Sequence, residues 1–368
     1  MKKFVTLLAL ATLTLIIPAN AASPLAGMPP VLDQNDIYAA DRPNQLSDVV
    51  KNMPERVYVP NHTSNTISVI DPKTFKVIKT FKTASGPQHV VPSWDLKTLW
   101  INNNAGNVLT PINPLTVTIG IPVLVHDPYN LYFTPNGKYA VVMAESDKKI
   151  VFRDPHTMAI KKVINVPCLG VNHADWTKDG NFFAVSCEFN GEILWIDTAK
   201  MKLVKKAFLP HTYNKTPMPQ DVKISPDGST FYIADMMSDG VWIMPSDHFG
   251  SFKFLKTGRA AHGLYVTRDS KTLLITNRGE GSVSVLRFND NKLIAKWKIP
   301  GGGSPDMGGI SANGKQFWVS GRYNNYVYVF DIVAGKFLTK IKVGKEPHGL
   351  AIYPQPGRYS LGHTGVFR

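Results

Sequence analysis

Only two cysteines occur in this 368-residue chain, Cys168 and Cys187. There is no C-x-x-C-H run, which excludes covalent c-type haem. The chain also lacks G-x-S-x-G, a P-loop, H-E-x-x-H and the EF-hand spacing. Those familiar routes to an activated serine, a bound nucleotide, a catalytic zinc or a calcium loop are therefore closed. Gly301-Gly302-Gly303-Ser304 has the glycines of a phosphate loop, but a strand follows it rather than a helix. It reads as a link between repeats. No stretch shows a convincing helical period. After the N-terminal run, no apolar segment reaches membrane length, so the mature chain is expected to have no transmembrane segment.

Acids are the scarcer charge, 27 against 41 basic residues, and the formal charge is +14. Lys2 and Lys3 open an apolar run from Phe4 to Ile17, and Ala19-Asn20-Ala21 follows as an A-x-A cleavage pattern. That order predicts a secretory signal peptide over 1–21 and a periplasmic or extracellular protein. Its removal takes two lysines and no acid, leaving about +12. Such a charge favours a protein partner or a small anionic ligand. Nucleic acid is not expected, because the lysines fall at strand edges and turns, such as Lys73, Lys76, Lys79 and Lys82. In an oxidising compartment Cys168 and Cys187 are expected to pair. The bridge closes a loop of about 20 residues, worth on the order of 3 kcal/mol. Cys187 and Glu188 acting with His173 as a metal or thiol site is the alternative.

A repeat organises the rest. Segments opening at Pro87, Pro128, Val171, Pro219, Ala261, Pro305 and Pro347 align, and successive starts lie 41 to 48 residues apart. Each unit begins with a short apolar strand, and many end that strand in a turn such as Ser225-Pro226-Asp227-Gly228. A second strand follows, then a polar loop, an alternating third strand and a last strand edged with lysine, as in Lys292 to Ile299. Four strands per repeat at this period predict an all-β, seven-bladed β-propeller over 56–354. The unit at 56–81 lacks a first strand, and the C-terminal strand at 348–353 is expected to supply it and close the ring. Segments 22–55 and 355–368 are left as a lead-in and a tail, both expected to lie over the ring. A partial eighth blade made from them is the competing count.

Leu273-Leu274-Ile275-Thr276-Asn277 followed by Gly281-Ser282-Val283-Ser284-Val285 resembles the YVTN repeat. So does Val57-Tyr58-Val59-Pro60-Asn61 followed by Asn65-Thr66-Ile67-Ser68-Val69-Ile70-Asp71. The Pro-His-Gly opening at 347–349 matches too. The chain thus resembles the YVTN family of extracytoplasmic propellers (YncE-like) over about 56–354. A more distant similarity is to the haem-d propeller of nitrite reductases and to haem-d assembly proteins. The resemblance implies the fold and the compartment, and it leaves the activity open.

In a propeller the loops entering the innermost strands open on one face, together with those following the second strands. The first set presents His89, Asn130, His173, Asp221, His262, Asp306 and His348 around one axis. The second adds Glu188, Arg278 and Arg322, with Glu145 among its other members. Converging imidazoles and carboxylates could hold a divalent metal, with His89 and His173 the candidate ligands. Haem could be capped by one histidine with arginine against its carboxylates. The repeat itself supplies a plainer origin, since Pro-His-Gly recurs at blade starts. The favoured reading is a monomeric binding module that presents its channel mouth to a ligand or partner. The alternative is a metal- or haem-dependent enzyme, a haem-d-assembly-like oxidoreductase or a propeller lyase.

Overall fold

The computed structural model describes residues 23–212, 215–363 and 366–368, so the expected signal peptide lies outside it. Seven antiparallel sheets form the ring, and each innermost strand faces the axis. The innermost strands are Ala351–Tyr353, Pro87–Pro92, Asn130–Phe133, Val171–Trp176, Pro219–Ile224, Ala261–Val266 and Pro305–Ile310. The blades they open are numbered 1 to 7 in that order. Blade 1 is closed as the sequence predicts. Arg56, Val57 and Tyr58 pair with Tyr353, Ile352 and Ala351. The closing strand is three residues shorter than expected, but His348 N still donates to Pro60 O at 3.0 Å. No eighth blade forms among the described residues.

Burial explains the strand patterns. Leu273, Leu274 and Ile275 in the second strand of blade 6 are all fully buried, because neighbouring blades cover both faces. Such a strand reads as a continuous apolar run rather than an alternation. The outermost strand Lys292–Lys298 is exposed except for Trp297, and its lysines guard the open edge. In the turn after the first strand of blade 5, Gly228 sits at φ 77°, a conformation glycine adopts without strain. Blade 2 departs from the pattern. Its edge is split into Thr118–Ile119 and Val123–Leu124, with Gly120 and Pro122 between them.

Neighbouring innermost strands do not form one continuous sheet, so several of their amides need other acceptors. Side chains from the preceding blade provide them. The Tyr132 hydroxyl accepts from Ala174 N at 2.9 Å, and Asp175 Oδ2 accepts from Ile224 N at 3.0 Å. Asp221 Oδ2 accepts from Leu264 N at 2.9 Å, and the Tyr265 hydroxyl accepts from Gly308 N at 2.6 Å.

The lead-in crosses the face opposite the entry loops. Leu25, Ile37 and Asn44 donate backbone hydrogen bonds to the turns of blades 4, 5 and 7. The tail does not merely lie over the ring. It enters the channel from that same face, where Gly362 pairs with Tyr132 and Phe133 N donates to Leu361 O. Arg368 anchors it on Asp175 at 3.1 Å and lies 4.3 Å from the Tyr38 ring centre.

Cys168 and Cys187 form the expected disulfide, with their Cα atoms 5.6 Å apart. It ties the approach to blade 4 to the end of that blade's second strand. Reduction is expected to lower stability by about 3 kcal/mol, through the chain entropy returned to the unfolded state. Urea unfolding with and without a reductant measures this, and identical midpoints would overturn it.

Candidate functional site

The repeat places one residue pair at each blade entry, and seven such pairs surround the axis. The structure brings His89, His173, His262 and His348 together there, all almost fully buried. A fifth imidazole, His363, joins them from the tail. His89 lies at the centre of the group, with ring centres 4.7 Å from His348, 4.1 Å from His363 and 6.3 Å from His173. A Cβ on Gly349 would overlap the His89 ring at 2.0 Å, so the Pro-His-Gly glycine makes room for the neighbouring blade's histidine.

Asp306 is the charged anchor of this layer and has no exposed surface. It accepts from Arg278 Nη1 at 3.0 Å and from His348 Nδ1 at 2.6 Å. His262 Nδ1 lies 3.2 Å away and Arg322 Nη1 4.0 Å away. Burial pushes the Asp306 carboxyl up, but the close His262 Nδ1 and the Arg278 and Arg322 guanidiniums outweigh it and hold the group below the usual carboxylate range. Burial drives all five imidazoles down, His89 to about 3, so they are neutral at neutral pH.

Above this layer the loops after the second strands form the mouth. Glu145 and Glu188 face each other across blades 3 and 4. Burial raises both carboxyls, and their mutual repulsion raises Glu145 further. The pair therefore keeps a proton at neutral pH. Asn172 Nδ2 donates to Glu188 at 2.8 Å. Arg322 reaches Gln88 Oε1 at 3.5 Å, and the Arg278 guanidinium lies 5.5 Å from the Tyr323 ring centre.

Two candidates at the entry positions have structural partners. Asp221 caps Leu264 N and also accepts from Val222 N at 3.0 Å, while His173 Nδ1 stays 3.8 Å away. Asn130 donates to Asn172 Oδ1 at 2.8 Å and so links blades 3 and 4. His363 is the site residue that the sequence reading missed. The tail carries no repeat, so no periodic signal points to it.

A family model described as YNCE-like beta-propeller matches residues 45–356. The chain belongs to the YNCE-like β-propeller family. No curated protein matches it. Solved structures share the family's ring at low identity. A functionally unknown protein from Desulfotomaculum acetoxidans is 15% identical, with 81% of this chain and 98% of that one covered, at a TM-score of 0.68. The periplasmic gluconolactonase PpgL of Pseudomonas aeruginosa is 17% identical, with 82% and 99% covered, at 0.66. The dihydro-heme d1 dehydrogenase NirN is 14% identical, with 87% and 67% covered, at 0.59. At these identities the likeness is one of fold, and NirN bears out the distant similarity to haem-d propellers at that level.

Proposed function

We propose that this is an exported binding module that takes a small, hydroxyl-bearing anion at its channel mouth. The observation that carries the reading is the pairing of Arg278 and Arg322 over one buried acceptor, Asp306. Both guanidiniums keep further donors for a ligand, because each has five N–H groups. The Glu145–Glu188 pair opposite retains a proton, so it can both donate to and accept from hydroxyl groups. Export is supported by the 1–21 pattern, by the disulfide and by the periplasmic neighbour PpgL. A mature mass that corresponds to a start at Ala22 is the expected result for protein recovered from its own cell.

Calorimetric titration with gluconate, citrate and inorganic phosphate tests the mouth. At least one of these is expected to bind at millimolar concentration or below. Arg322→Gln should weaken that binding about 10- to 150-fold, the range for one charge-assisted hydrogen bond. Arg322 is the cleaner variant, since it stands 4.0 Å from Asp306 whereas Arg278 bonds that carboxylate directly at 3.0 Å. No heat with any of the three anions, or equal affinity in the variant, sinks the proposal.

The retained proton on Glu145 supports a second reading, in which the mouth acts as a general acid on a sugar lactone. Gluconolactone that opens no faster with the protein than in buffer alone speaks for binding alone. Accelerated opening that is lost in Glu145→Gln speaks for catalysis.

A further inference from the structure

Two tyrosines stand among the charged groups of the mouth. Tyr323 follows Arg322 in the loop after the second strand of blade 7 and is 64% exposed. That loop is pinned to the blade. Arg322 N donates to Ser304 O at 3.2 Å and Tyr323 N to Ser304 Oγ at 2.9 Å, while the Ser304 hydroxyl donates to Asn324 Oδ1 at 2.7 Å. With Arg278 5.5 Å from its ring centre, Tyr323 sets a flat, open aromatic face beside both arginines. Tyr129, at the entry to blade 3, is half-buried. Burial raises its phenol well above the ordinary value, and the charges of Glu145 and Glu188 raise it further, so it lies close to that pair. Glu145 Oε1 is itself buried with no hydrogen-bond partner. An orphaned acceptor in a ligand mouth asks for a donor from the ligand.

Resting on the mouth as an anion site, we propose that its ligand is a uronic acid in the six-membered ring form. The ring lies on Tyr323, the carboxylate meets Arg278 and Arg322, and the far hydroxyls meet the Glu145–Glu188 pair. The mouth is polarised across the axis. Its guanidinium donors come from blades 6 and 7, and its carboxyl groups from blades 3 and 4, which lie across a ring of seven. A pyranose acid is polarised the same way, with the carboxylate carried on C5 and the C2 and C3 hydroxyls at the other side of the ring. Its rigid ring holds these ends apart without the ordering that an open chain must undergo on binding. A pyranose also presents a face of C–H groups, which suits the electron-rich face of an aromatic side chain.

Charge selects the acid. Asp306 already matches Arg278 at 3.0 Å, which leaves the charge of Arg322 to meet the ligand. One guanidinium suits a singly charged carboxylate better than a doubly charged phosphate ester. Among the described residues no three His, Cys, Asp or Glu side chains are placed to hold a metal ion. Recognition therefore falls to hydrogen bonds and ring contact, the usual division between orienting polar groups and an aromatic wall.

Calorimetric titration compares three probes. Methyl β-D-glucuronide has its ring locked by the glycoside, gluconate is an open chain of the same charge, and methyl β-D-glucoside is the ring without the charge. The wild type is expected to bind the glucuronide about 10-fold tighter than either of the others. Tyr323→Leu should remove most of the preference over gluconate, and Tyr323→Phe should keep it, because the aromatic face is retained. Arg322→Gln should weaken glucuronide and gluconate alike. Circular dichroism reports whether each variant folds, and Tyr323 is exposed enough for both of its variants to do so. Equal affinity for glucuronide and gluconate overturns the ring and leaves the mouth an anion site. Glucoside bound as tightly as glucuronide overturns the carboxylate. An equal loss of both anions in Tyr323→Leu overturns the platform, since Tyr323 would then only position Arg278. No heat with any of the three probes or with inorganic phosphate sinks the anion reading itself, and the uronic acid with it.

Discussion

Replacing Asp306 with alanine is expected to cost about 3–5 kcal/mol of folding stability, as does breaking a buried ion pair from one side. The carboxylate has no exposed surface and takes hydrogen bonds from Arg278 and His348, with His262 at 3.2 Å. These partners come from blade 6 and from the entry to blade 1, so the one side chain of blade 7 joins three consecutive blades. Alanine would strand the Arg278 guanidinium, which is only 9% exposed, without its counter-charge. Asparagine keeps an acceptor oxygen and loses the charge, so it should fall between wild type and alanine. Asp48→Ala is the control. Its pairing with Lys51 at 2.8 Å is exposed, and such pairs contribute at most about 1 kcal/mol. Urea unfolding of the three variants gives the order. A loss at Asp306 no larger than that at Asp48 would mean that the buried network contributes nothing net.

The same residues show how far the sequence could be read. His89, His173, His262 and His348 were legible as a group because the repeat fixes their place at each blade entry. Position alone did not reveal what each one does. Asp221 occupies an equivalent place, yet its carboxylate is taken up by Leu264 N, an amide that lacks a sheet partner. Asn130 likewise bonds to Asn172 in the next blade. These outcomes depend on the gap between neighbouring innermost strands, which periodicity does not encode. The split edge of blade 2 has a local cause visible in hindsight. Gly120 and Pro122 interrupt the strand pattern, and Pro122 has no N–H to give to a ladder. His363 was beyond reach because the tail pairs with Tyr132 through tertiary contacts alone. Glu145 and Glu188 each sat in the correct loop set, but their approach follows from side-chain reach across two blades.

That approach leads to a pH effect of opposite sign to ordinary acid denaturation. Glutamine at position 145 is expected to make the protein more stable than wild type at pH 8 and to leave the two nearly alike close to pH 4.5. Burial, the facing Glu188 and nearby Asp127 all raise the Glu145 carboxyl above its ordinary 4.5, with Arg322 only partly opposing them. Over the window that opens above pH 4.5, the folded state holds a proton that the unfolded state has released. An acid raised in this way stabilises the fold at low pH, and that contribution is lost as pH climbs towards the folded value. Wild type therefore loses about 1.4 kcal/mol per pH unit across the window from this group, a total of several kcal/mol by pH 8. Glutamine has no proton to lose and can still donate to the Glu188 carboxylate through its amide. Urea unfolding of both proteins at pH 5, 6.5 and 8 should show the difference widening with pH. Parallel stability curves would mean that Glu145 is ionised at neutral pH. The mouth would then face its ligand with two negative charges instead of one, and the case for an anion would weaken with it.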